Sequence, residues 1–123
     1  MSTHSYVRLR SRLLDEASTT ALAETFKVLG DPTRVRILDA LAHAEVPVCD
    51  LAAVLDLTQS AVSHQLRLLR HLGLVVGQRD GRRVVYDLYD DHVGELLEQA
   101  ISHVEHVRQG LARSVSQPQL AEA

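Results

Sequence analysis

Residues 48–75 read VCDLAAVLDLTQSAVSHQLRLLRHLGLV, and this stretch decides the fold. Pro47 opens a short apolar segment over 48–56. Thr58 can cap a second segment over 59–72, which Gly73 can terminate. A short helix, a tight turn and a second helix make a helix-turn-helix. At about 100° per residue, Val62, Leu66 and Leu69 share one side of the second helix, while Ser60, Ser63, His64, Arg67 and Arg70 occupy the other. Together with Gln59 and Gln65, that outer face suits a major groove. Serine and arginine reach phosphates, and arginine or glutamine reads base edges.

The hydrophobic period changes on the C-terminal side. LVVGQRDGRRVVYDLY, residues 74–89, holds two β-rich runs around Asp80-Gly81, a strong hairpin signal. Arg79, Arg82 and Arg83 near its tip would let the hairpin act as a basic wing on DNA. A long last helix is expected over about 91–109. On the N-terminal side, Leu22, Phe26 and Leu29 recur at helical spacing over 16–29. In GDPTR, Gly30 can end that helix, Asp31 can cap the next and Pro32 suits its first position. Val35, Ile37, Leu38 and Leu41 give a second helix. The expected fold is mainly α with a β-hairpin wing: four helices, a hairpin and a helix. Residues 15–109 form one winged helix-turn-helix domain, between a flexible basic arm at 1–14 and a flexible tail at 110–123.

A length of 123 residues fits one domain. The net charge of −3 hides a segregation: Ser60–Tyr86 carries five arginines and one aspartate, whereas Asp87 to the end carries seven acids and two arginines. Two surfaces with different tasks are implied. The single cysteine, Cys49, excludes an internal disulfide and fits a reducing cytoplasm. The start of the chain has no signal-peptide core, and no apolar run approaches the roughly 20 residues of a membrane span. Few aromatic residues argue against a stacking platform for single-stranded nucleic acid.

LGDPTRVRILDAL, the 48–75 stretch and GRRVVYDLYDDHV together resemble the ArsR/SmtB family of winged-helix, metal-responsive repressors. The resemblance spans about residues 20–108, and SAVSHQLRLLR followed by GRRVVYDL is highly specific. It implies a homodimer, formed through the first and last helices, that binds double-stranded operator DNA when metal-free and is released by metal. Asp56 stands where the family usually has glycine. Aspartate tolerates left-handed backbone angles better than most residues, so the turn is expected to survive.

The last helix holds a candidate metal constellation. His92 and His103 are eleven residues apart, close to three turns, which separates them by about 16 Å along one helix. Metal–ligand bonds are about 2 Å, so one helix cannot bring both to one ion. His103 and His106 can chelate together, as can Asp90 and His92. An antiparallel second copy would join the Asp90/His92 end of one chain to the His103/His106 end of the other, giving two equivalent sites. The apolar residues Val93, Leu96, Leu97, Ala100, Ile101, Val104 and Val107 would form the seam, with the histidines on its rim.

In zinc-sensing members of the family this helix carries an Asp, two His and a Glu. Here His106 replaces the Glu, which is similar to the nickel/cobalt sensors of the NmtR type. Three imidazoles and a carboxylate suit zinc, cobalt or nickel. Octahedral Ni(II) or Co(II) would want further donors. Removal of Met1 would leave Ser-Thr-His, with His4 third from a free amine, as a source of them.

Some family members use a Cys-x-Cys at the start of the first helix-turn-helix segment. Pro47 occupies the first of those positions here, so Cys49 is expected to be a small, partly buried residue. His43 and His71 are expected at the surface or at helix ends. The leading expectation is a Ni(II)- or Co(II)-responsive repressor, with Zn(II) as the alternative inducer. A same-fold repressor sensing a redox signal at Cys49 is a second class. A metal hydrolase finds no HExxH-type base and no nucleophile motif, and neither an enzyme, a small-molecule substrate nor a membrane partner is expected.

Overall fold

The computed structural model describes residues 3–116, with side chains over 5–114. Six helices and three strands follow one another: α1 (Thr3–Arg12), α2 (Glu16–Leu29), α3 (Pro32–His43), β1 (Val46–Pro47), α4 (Val48–Leu55), α5 (Gln59–His71), β2 (Val75–Asp80), β3 (Arg83–Leu88) and α6 (Asp91–Ser116). The chain divides into two compact units, one up to Val35 and one from Arg36 onward.

In the first unit, Asp15 caps α2 by accepting the Ser18 N–H at 2.7 Å. That bond holds its carboxyl below the usual carboxylate range. Asp31 caps α3 in the same way, through the Arg34 N–H at 3.1 Å. The bounds of α2 are those read from its periodicity, yet the face that carries Leu22 and Phe26 stays exposed in the single chain. Residues 3–12 are helical where the sequence led to an irregular arm. The sequence pattern was discounted because it has no buried side, and the described side chains of this helix are indeed exposed.

The second unit holds the core. Ile37, Leu38 and Leu41 of α3, Leu51, Ala52 and Leu55 of α4, Val62, Leu66 and Leu69 of α5, Leu74 and Val75, and Val93 and Leu97 of α6 are all buried. Thr58 caps α5, its hydroxyl accepting the Ala61 N–H at 3.1 Å. Both helices of the helix-turn-helix close alike. After α4, Asp56 adopts φ 56° and ψ 49°. The Leu57 N–H then reaches Ala52 O at 2.9 Å and the Asp56 N–H reaches Ala53 O at 3.3 Å. After α5, Gly73 takes φ 72°, and the Leu74 and Gly73 amides reach Leu69 O and Arg70 O at 2.9 and 3.0 Å. This double closure satisfies carbonyls that the helix end would orphan, and it needs a left-handed residue.

Asp56 is the only non-glycine residue with positive φ among those described. The turn therefore survives the aspartate, at a conformational cost that glycine would not carry. Asp56→Gly is expected to raise stability by about 0.5–1 kcal/mol, glycine's extra freedom in the unfolded chain offsetting part of the gain. Urea denaturation would register this as a higher midpoint at unchanged slope. A lower midpoint would mean that the Asp56 side chain makes a stabilising contact.

The sheet order is β1-β3-β2, all antiparallel. Asp80 pairs with Arg83, so Gly81 and Arg82 are the two loop residues. Gly81 has φ 67°, and Arg82 is not among the positive-φ residues, a pattern that fits a type II′ turn. β1, absent from the sequence reading, pairs Val46 with Tyr86 and Pro47 with Val85. A two-residue strand carries no periodicity to read. α6 continues to Ser116, seven residues beyond the end expected from its apolar pattern and into the segment expected as tail.

Candidate nucleic-acid interface and metal half-sites

α5 sorts its residues by chemistry. Val62, Leu66 and Leu69 have no solvent exposure. Gln59, Ser60, His64, Arg67 and Arg70 are exposed, and Ser63 and Gln65 are half-buried at the edge of the outer face. Burial of three branched aliphatic side chains sets the helix's rotation, and that rotation turns the donors outward. Arg79, Arg82 and Arg83 are exposed at the hairpin end. Arg83 lies 3.9 Å from Asp80, both well exposed. Such a pair contributes little to stability and leaves the guanidinium available to a phosphate.

One contact here was not visible in the sequence. The Arg36 guanidinium donates to Leu55 O at 3.2 Å and so holds the end of α4 to α3 across nineteen positions.

At the start of α6 the Asp90 carboxylate is split between two tasks. Oδ1 accepts the Val93 N–H at 3.2 Å and caps the helix. Oδ2 lies 3.3 Å from His92 Nδ1. Partial desolvation opposes the charged form of Asp90. The Val93 N–H and the neighbouring imidazole outweigh it, and the carboxyl sits below its usual range. His92 is 90% exposed. An anionic oxygen beside an imidazole nitrogen, both open to solvent, is a donor pair that suits a divalent transition metal. His103 and His106 are exposed on the same unbroken helix. Among the described residues, no group of three or more His, Cys, Asp or Glu side chains is close enough to hold an ion. The structure thus brings Asp90 and His92 together and leaves His103 and His106 some three turns away. The side chain of His4 lies outside the described residues.

The apolar stripe of α6 divides. Val93 and Leu97 are buried in the chain's own core, while Leu96, Ile101, Val104, Val107 and Leu111 are 40–62% exposed. Cys49 is exposed rather than partly buried, its thiol 3.6 Å from Asp50 Oδ1. α4 turns Leu51, Ala52 and Leu55 inward, and position 49 falls on the opposite side. His43, at the end of α3, lies 3.5 Å from Asp39, and His71 closes α5. No helix among the described residues is long and apolar enough to cross a membrane.

A helix-turn-helix with a basic hairpin beside its second helix defines a winged-helix DNA-binding protein. Comparison with known proteins narrows the class. Residues 31–76 match the family model described as "Bacterial regulatory protein, arsR family". The chain is 52% identical over 99 residues to the HTH-type transcriptional regulator NmtR of Mycobacterium tuberculosis, covering 80% of this chain and 82% of that one. It is 48% identical over 92 residues to a transcriptional repressor SmtB homolog of Synechocystis, covering 75% and 68%. Among solved structures, a homodimeric winged helix-turn-helix DNA-binding domain from Mycobacterium bovis superposes with a TM-score of 0.72 at 28% identity, covering 80% and 94%. The chain belongs to the ArsR family of bacterial transcriptional regulators.

Proposed function

We propose that the chain is a homodimeric metal-sensing repressor that holds operator DNA when metal-free and releases it on binding Ni(II) or Co(II). The observation that carries this reading is the Asp90–His92 pair at 3.3 Å, on a helix whose other two histidines lie along the edge of an exposed apolar stripe. Two copies of α6, antiparallel across that stripe, would place Asp90 and His92 of one chain beside His103 and His106 of the other. Likeness to NmtR supports nickel or cobalt as the inducer. Three imidazoles and one carboxylate also complete a tetrahedral set, which makes zinc the second reading.

The DNA face would comprise Gln59, Ser60, Ser63, His64, Gln65, Arg67 and Arg70 of α5, with Arg79, Arg82 and Arg83 on the wing. Metal would fix the two α6 helices in one relative arrangement. The two α5 helices would then no longer match successive major grooves, about 34 Å apart. Allosteric couplings of about 1–3 kcal/mol correspond to a 5- to 150-fold loss of operator affinity. Fluorescence anisotropy of labelled operator, titrated with Ni(II) or Co(II), is expected to show release in that range. Unchanged anisotropy at saturating metal contradicts the reading. The Co(II) absorption spectrum separates the two inducers. Weak visible bands indicate six-coordinate cobalt, and intense bands a tetrahedral, zinc-like site. Bands that change on deleting residues 1–4 would add His4 to the ligands.

A further inference from the structure

The side of α6 away from its histidines borders an open cleft of about 940 Å³, formed with the end of α3 and the end of β3. Its lining is one-signed: Asp39, Asp87, Asp91, Glu95, Glu98 and Glu105 contribute carboxylates. The one basic side chain among the lining residues, His43, is already 3.5 Å from Asp39. Leu41, Leu97 and Ile101 supply apolar surface. Carboxylates gathered at one opening repel one another and favour a cationic occupant, and the leucines and isoleucine favour one with apolar side chains too.

One segment of this chain has that combination. Residues 1–14 hold three arginines and no acid. In α1, Tyr6 and Leu9, followed by Leu13, fall on one face at i, i+3 and i+7, and they are 54%, 51% and 65% exposed. Arg8 and Arg12 project from the opposite face, with Arg10 at its flank. A phosphate backbone would engage the arginines and leave the apolar face in water, whereas the acidic cleft answers both. Cleft and helix face are both exposed in the single chain.

We infer that the cleft is a docking site for α1 of a second copy, so that the basic N-terminal helix straps the homodimer together. This rests on the homodimer proposed above, which holds a second α1 within reach at high effective concentration. The strap engages the acidic edge of α6 and leaves the histidine edge free for metal.

The test uses full-length protein without metal or DNA. A spin label is placed at Ser5→Cys in a Cys49→Ser background, and this copy is mixed with an unlabelled-spin, ¹⁵N-enriched copy. Sedimentation first establishes whether the mixture is dimeric. The expected result is loss of the Gly94 and Ser102 amide signals in the enriched copy, reversed by Arg8→Glu, Arg10→Glu and Arg12→Glu together. Restoration of the loss by Glu98→Lys and Glu105→Lys in the receiving copy would establish charge complementarity. A dimer whose Gly94 and Ser102 signals persist overturns the strap and leaves the homodimer standing. A monomer overturns both. Broadening confined to the spin-labelled chain's own amides assigns the helix to its own cleft, and broadening of neither, with operator affinity falling on charge reversal, assigns it to DNA. Either result overturns docking between copies.

Discussion

His92→Ala is expected to abolish the response to metal while leaving the metal-free repressor intact. His92 is 90% exposed and packs on nothing in the core, so neither stability nor metal-free operator affinity should move by more than about twofold, the usual range for surface substitutions. The ratio of operator affinities without and with Ni(II) is the informative quantity. It should fall from the 5- to 150-fold range expected of allosteric couplings to about one. His103→Ala should do the same from the far end of α6. Arg67→Ala should do the reverse, lowering operator affinity in both states and preserving the ratio. Asp90→Ala is a poorer probe, because it also removes the cap on Val93 N–H. Anisotropy titrations of the variants against labelled operator supply all these ratios. A His92→Ala protein that still releases DNA at wild-type metal concentrations would remove α6 from the sensing mechanism.

Leu66→Ala should have the largest effect on stability. Leu66 has no solvent exposure and lies midway along the buried face of α5, between Val62 and Leu69. Truncating a fully buried leucine costs about 2–5 kcal/mol through lost transfer energy and the cavity left behind. Domains are stable by only about 5–15 kcal/mol, so much of that margin would go. Urea denaturation followed by circular dichroism measures it. A loss below about 1 kcal/mol would mean that the helix relaxes into the gap. Because the same face sets the outward rotation of Arg67 and Arg70, operator affinity should also fall in the fraction that remains folded.

The helix-turn-helix was legible because its signals are local and agree with one another. Thr58 caps, Gly73 stops, and the 62/66/69 spacing sets the buried face; each acts within a few residues of where it is read. Asp56 was legible for the same reason, since only a left-handed residue closes α4 in that way. What escaped the sequence depends on distant partners or on none. β1 exists only because β3 lies beside it. The Arg36 bond to Leu55 O spans two helices. Cys49 was misjudged because a small apolar side chain is usually buried, whereas the rotation of α4 is set by Leu51, Ala52 and Leu55. α1 and the last turns of α6 have too little inward face for periodicity to register. Within the candidate site, the Asp90–His92 pairing was readable from spacing, but the double duty of the carboxylate, one oxygen capping and one facing the imidazole, appears only in three dimensions.

The central claim is that each metal site is built from two chains, and mixing two defective proteins tests it most directly. One carries His92→Ala, the other His103→Ala with His106→Ala. In a mixed dimer, one Asp90/His92 pair and one His103/His106 pair remain intact, on different chains. The two-chain account predicts no tight Ni(II) or Co(II) site in either homodimer and one per mixed dimer, read by competition with a chromophoric chelator. Absence of tight binding in the purified mixed dimer, when the wild-type dimer binds two ions, would contradict it.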